Sequence, residues 1–170
     1  MGASGYAGQV LGSLLDRHPA LTLARRMSAR PGVAPEPPEG ELEAPIQALD
    51  VEAFAGLDGV FLCAPHGAAA PLARAAIAAG CKVVDLSADF RLKDAARYAA
   101  VYGQTHSAPE LLAEAVYGLT EHVREALAAA RLVANPGCYP TSVLLPLKPL
   151  LCADLLEPDA AIIADCKSGL

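Results

Sequence analysis

Hydrophobic positions change period along this chain, and each change marks an element. After a glycine loop at residues 2–8, residues 9–18 carry Val10, Leu11, Leu14 and Leu15 at helical spacing. That face predicts a helix, and Pro19 stops it. Residues 21–24 read as a short strand. Residues 30–45, rich in Pro and Glu, read as an irregular exposed segment. The apolar run 60–64 predicts a buried strand ending at Pro65-His66-Gly67. Residues 71–79 predict a helix with Pro71 in its first turn and Gly80 as its stop. Residues 82–86 give the next strand, 121–130 a helix and 132–134 a strand. Residues 141–151 predict a helix bent at Pro146, and 160–164 a final strand. There is no internal repeat.

Strands alternating with helices predict an α/β fold, a doubly wound, mostly parallel sheet of Rossmann type. Ligands of such sheets bind beyond the carboxyl ends of the strands. The loops that begin at Gly2, Pro65, Ser87 and Pro136 are therefore the ones to read for chemistry. One element is out of place: this fold calls for an apolar strand before the glycine loop, and only Met1 stands there.

The loop Gly2-Ala3-Ser4-Gly5-Tyr6-Ala7-Gly8 spaces three glycines at i, i+3 and i+6. Glycine lets backbone N–H groups approach a pyrophosphate, and the following helix start attracts its charge. Ser4, Gly5, Tyr6 and Gly8 are thus candidate cofactor contacts. The spacing departs from Gly-x-Gly-x-x-Gly, and alone it is a weak signal. The fold places its ribose-reading residue about 20 residues on. An NAD-selective site would offer Asp or Glu there; this chain offers Arg25, Arg26 and Ser28, then Arg30. Cationic groups favour a 2′-phosphate, hence NADP. A solvated basic run is the competing reading for any one of these arginines.

Cys138 follows the apolar run 132–134 in Ala134-Asn135-Pro136-Gly137-Cys138-Tyr139 and precedes a Leu-rich helix. A thiol at a helix start faces unpaired N–H groups and the positive end of the dipole, and both favour the nucleophilic thiolate. For an arbitrary cysteine, a small buried thiol is the better reading. The Asn-Pro-Gly turn and the glycine loop favour a nucleophile that attacks an activated carbonyl.

Composition narrows the class. The 170 residues are 54% hydrophobic and 19% charged, enough for one folded domain with a sizeable core. A net charge of −6 argues against nucleic acid as partner. Five cysteines, an odd number with no Cys-x-x-Cys, suggest neither a disulfide framework nor a zinc site, and no other cluster suggests a metal. A reducing cytoplasm fits best. No signal peptide and no membrane span are expected.

With these motifs in order, together with Asp85-Leu86-Ser87-Ala88-Asp89-Phe90-Arg91 and Tyr117-Gly118-Leu119, the chain resembles the N-acetyl-gamma-glutamyl-phosphate reductase family. The resemblance implies an NADP-binding Rossmann domain at 1–134 lacking its first strand. It also implies the start of an α+β catalytic domain at 135–170, truncated, so that the chain alone is expected to be inactive and poorly folded. It implies Cys138 as the nucleophile toward an acyl phosphate, with a thioester reduced by NADPH and phosphate released. The family's acid/base histidine is not in this chain, and Thr120 stands where the family carries Pro. Pro65 and His66 would line the nicotinamide side of the cleft. Ser87, Arg91 and Asn135 are candidate substrate contacts. Their competing roles are a structural ion pair of Arg91 with Asp85 or Asp89, and a bond from Asn135 to its own turn. His18 and His122 are expected to be structural, while His106, in a polar loop, could approach the site without supplying the acid/base; Cys63 and Cys166 should belong to the core. The full-length family forms homo-oligomers. A sister reductase of aspartyl or aminoadipyl phosphate, or a catalytically dead NADP-binding domain, are the alternatives.

Overall fold

The computed structural model describes residues 1–29 and 45–167. Its elements run α1 (Tyr6–Asp16), β1 (Arg26–Ser28), β2 (Ile46–Ala48), β3 (Gly59–Leu62), α2 (Ala69–Ala78), β4 (Lys82–Asp85), α3 (Ala95–Tyr102), β5 (Val116–Tyr117), α4 (Thr120–Ala129), β6 (Leu132–Ala134) and α5 (Cys138–Cys152). The predicted irregular segment 30–45, Arg30 included, lies outside the described residues except for Pro45.

Four strands form one parallel sheet in the order β3-β4-β6-β5, and β1 pairs with β2 in a second parallel pair. The register aligns the strand ends: Leu62 stands opposite Asp85, Asp85 opposite Ala134, and Tyr117 opposite Ala134. All four following loops therefore leave at one edge, as parallel strands in register require. The ladder continues into them, with Leu86 N–H donating to Leu62 O at 2.9 Å, Asn135 N–H to Asp85 O at 2.8 Å and Gly118 N–H to Ala134 O at 2.9 Å.

Helix α2 explains the alanine-rich stretch. Ala69, Ala73 and Ala76 recur at i, i+4 and i+7 and, with Ala70, are fully buried. Small side chains let the helix pack closely on β3 and β4, where Leu62, Val83 and Leu132 fill the core with Phe54 and Phe90.

Several expectations are corrected. The strand expected at 21–24 forms instead at Arg26–Ser28, where β2 supplies a ladder partner. The strand expected at 160–164 does not form: among the described residues no strand stands beside it, and Ile162 and Ile163 are exposed. Cys166, expected in the core beside that strand, is partly exposed near Ser142. In α1 the expected apolar face does not meet the core. Gly8 and Gly12 are the buried positions, and Val10 and Leu14 face solvent. A Cβ on Gly8 would lie 2.3 Å from Gly2 O, so only glycine permits this approach.

Among the described residues, no strand fills the place of the expected first strand between β1 and β3. Met1 to Ala3 bridge it at one end: the Met1 amino group donates to Phe61 O, Cys63 N–H to Met1 O, and Ala3 N–H to Met27 O. The rest is a groove of about 390 Å³ whose lining includes Leu11, Leu15, Leu23, Met27, Leu57 and Phe61.

Candidate active site

Cys138 is the first residue of α5 and is exposed. The helix starts three residues before the expected boundary at 141. Pro140 does not prevent this, because an N–H in the first turn has no intrahelical partner to lose. Gly137 caps the helix in extended conformation without a side-chain bond, and the first turn holds no acid. The thiol thus sits at the positive end of a fifteen-residue helix, beyond the carboxyl end of β6.

The turn before it is held from β4. Arg91 Nε donates to Asn135 O at 2.9 Å and Nη2 to Leu86 O at 3.0 Å. Among the described residues no ion pair joins Arg91 to Asp85 or Asp89. The Asn135 amide donates to Pro136 O at 3.0 Å, inside its own turn.

Ser87 is buried, and its hydroxyl donates to Asp85 Oδ2 at 2.7 Å while accepting from Asp89 N–H at 3.0 Å. Asp85 is fully buried, and burial pushes its carboxyl from an ordinary 3.8 to about 6, although the Ser87 bonds pull the other way. Asp89 is also fully buried. Its carboxylate accepts from Gly67 N–H at 2.6 Å, Ala69 N–H at 3.1 Å, Ala70 N–H at 3.0 Å and Tyr98 Oη at 3.0 Å. It therefore satisfies the start of α2 from another loop. His66 Nδ1 accepts from Ala88 N–H at 2.9 Å, tying the Pro65-His66-Gly67 turn to the same loop. His106, a sequence candidate for approaching the site, is buried between Asp89 O and Ala108 N–H and serves the scaffold. Sequence reading passed over Asp85, Asp89 and Tyr98 as a network. The Asp-x-Ser-x-Asp spacing was the one available signal, since alternate residues of an extended loop face one way.

The cofactor candidates form a second cluster at the same edge. Ser4 Oγ lies 2.7 Å from Ser28 Oγ, so the glycine loop touches the end of β1. Gly5 caps α1 without a side-chain bond, and a Cβ there would meet only Gly2 O, at an ordinary 3.6 Å. Tyr6 is exposed at the helix start. An uncapped helix start behind small residues fits a pyrophosphate. Two candidates depart from this cluster: Arg25 is exposed just before β1, at the end of the strand opposite the Ser4–Ser28 contact, and Arg26, expected to face a 2′-phosphate, is buried within the strand. Pro65 and His66 are exposed beyond β3, between the two clusters in chain order.

Residues 1–130 match the family model described as semialdehyde dehydrogenase, NAD binding domain. The chain belongs to this family. Its members' NAD-binding domain makes the cofactor a nicotinamide dinucleotide, in agreement with the uncapped α1 start. Curated relatives named N-acetyl-gamma-glutamyl-phosphate reductase match the whole chain. That of Halorhodospira halophila is 50% identical over 175 residues, covering 100% of this chain and 51% of the relative. That of Pseudomonas putida strain W619 is 48% identical over 176 residues, again 100% and 51%. A Neisseria meningitidis serogroup C relative is 47% identical over 175 residues, covering 100% and 50%. The chain spans about half the length of the curated relatives it matches. Among the described residues no helix is long and apolar enough to cross a membrane, and no cluster of side chains could hold a metal ion.

Proposed function

We propose that this chain is the cofactor and nucleophile half of an NADPH-dependent acyl-phosphate reductase that converts N-acetyl-glutamyl 5-phosphate to the 5-semialdehyde, a step of arginine biosynthesis. The observation that carries the reading is Cys138, exposed as the first residue of α5 at the edge where the cofactor loop also lies. The names of the relatives support the substrate.

In this reading Cys138 Sγ attacks the acyl carbonyl. A C–S bond forms, the C–O bond to phosphate breaks, and phosphate leaves. The thioester is a better hydride acceptor than a carboxylate. A reduced nicotinamide, when bound at the glycine loop, would supply that hydride. The thiohemiacetal on Cys138 then collapses, releasing aldehyde and restoring the thiolate. Asn135, in the Cys138 turn, and Arg91, which holds that turn from the β4 loop, lie on the substrate side in this reading, while Ser87 is turned inward to Asp85. The chain's thiol must stay reduced, which suits the cytoplasm. NADP is preferred over NAD in this reading because Arg25, Arg26 and Ser28, rather than an acid, stand about 20 residues after the glycine loop in the sequence.

The test is phosphate-dependent reduction of NADP by N-acetylglutamate semialdehyde. It uses the chain alone and the chain fused to the second half of the Halorhodospira halophila relative. Turnover in the fusion that Cys138→Ser abolishes, with NADPH binding retained, is the expected outcome. Near-native turnover in Cys138→Ser removes the covalent route. Turnover only on aspartyl or aminoadipyl semialdehyde moves the substrate to a sister reductase. NADPH should bind at least about tenfold more tightly than NADH, the worth of one charge-assisted contact. Equal affinities would leave Arg25 without that role.

A further inference from the structure

Arg91 is attached to the last residues of the loop after β4, yet its head group lies against the turn after β6. Nε and Nη2 donate to two carbonyls, Asn135 O and Leu86 O, which belong to segments leaving neighbouring strands. The third nitrogen, Nη1, lies 3.1 Å from where a Cβ on Gly137 would sit, and Cζ lies 3.6 Å from it. The guanidinium therefore lies close against Gly137, the residue just before Cys138. Glycine at 137 is what lets it come so close.

A planar fork can serve two carbonyls at once from Nε and Nη2, which a lysine ammonium matches less well. Both acceptors are neutral, and among the described residues no carboxylate pairs with Arg91 within ion-pair distance. A full positive charge is therefore held beside the uncapped start of α5, whose first turn carries no acid. The charge reaches its neighbours: it acts on both Asp85 and Tyr117.

We propose that Arg91 is the positioning residue of the nucleophile: it clamps the 135–137 turn to the end of β4 and so sets where α5 starts and how Cys138 is presented. This rests on Cys138 being the nucleophile. It differs from an ion pair with Asp85 or Asp89, because removing the clamp would move the turn rather than expose a buried acid.

The experiment reads Cys138 directly. The chain is alkylated with iodoacetamide, in which the thiolate displaces iodide. The rate at Cys138 is taken relative to that at the exposed Cys152, by mass mapping of each peptide. In Arg91→Ala the Cys138/Cys152 rate ratio should fall at least about fivefold, within the range for residues in contact. Millimolar guanidinium should restore it in that variant and leave the wild type unchanged. Arg91→Lys, which keeps the charge without the fork, should recover part of the ratio. Gly137→Ala keeps the arginine, displaces it, and should lower the ratio as well. An unchanged ratio in Arg91→Ala overturns the proposal. A ratio that falls but does not respond to guanidinium also overturns it, because general loosening of the fold would do the same. Failure of the reductase assay would leave this ratio untouched, so the two readings fail separately.

Discussion

At the scale of single residues, the loop after β4 carries more than a substrate-facing surface. Asp85 and Asp89 are both fully buried and two residues either side of Ser87, yet their surroundings separate them. Asp89 accepts four hydrogen bonds, three of them from backbone N–H groups. Among the described residues the Asp85 carboxyl has its two bonds from Ser87, and burial raises it to about 6. A carboxyl raised on folding holds its proton where the unfolded chain has lost it. Its contribution is therefore complete below the ordinary carboxylate value and is lost as pH rises through about 6. Over that window the wild type should lose up to about 3 kcal/mol relative to Asp85→Asn. Thermal melts of both at several pH values between about 4 and 7 check this. Parallel melting curves would mean that Asp85 is ionised in the folded chain.

At the scale of elements, the helix starts decide what the site can bind. Helix α1 begins uncapped behind Gly5, and its closeness to the loop depends on Gly8. Gly8→Ala would place a Cβ 2.3 Å from Gly2 O and 2.8 Å from Ala3 Cα, both backbone atoms that cannot swing away. The loop must then shift. We expect NADPH affinity to fall at least about tenfold with a lower Tm, since overpacking of this kind costs about 1–3 kcal/mol. Titration of the variant by nicotinamide fluorescence checks it, and unchanged affinity would show that the loop does not hold the cofactor. Helix α4 illustrates a milder substitution. Thr120, expected in a loop, is the first residue of that helix. Proline is favoured at that position too, so Thr and Pro are interchangeable there.

For the whole molecule, the sheet is interrupted between β1 and β3. Among the described residues their facing edges are joined by Met1 to Ala3, and the lining of the groove behind includes apolar side chains. Unpaired strand edges beside apolar surface destabilise a sheet and invite pairing. An extension of a few Val and Ile residues joined to Met1 should enter this groove parallel to both strands. It should raise Tm by several degrees, because the added ladder and buried side chains are worth about 1–3 kcal/mol each. An extension carrying Asp and Lys in the same places should not. Equal effects from the two would mean the groove does not accept a strand.

The sequence alone determined the α/β class, the parallel sheet and the four chemistry-bearing loops. Period, Gly and Pro punctuation and helix-start chemistry are local properties, so they survive without tertiary knowledge. The same signals for α3, Asp94 as cap and Gly103 in the left-handed conformation, were present and went unused. Strands β2 and β5, three and two residues long, carry no local signal and exist because β1 and β6 pair with them. The apolar run at 160–164 shows the converse: strand propensity without a partner gives no strand. Tertiary structure alone decided the order β3-β4-β6-β5, which sets the β4 loop beside the Cys138 turn. It decided that Arg91 meets carbonyls rather than carboxylates, and that Ser87 faces inward to Asp85. Arg91 and Asn135, 44 residues apart, are brought together by neighbouring strands, and strand order is a property of the packed sheet rather than of any local stretch of chain.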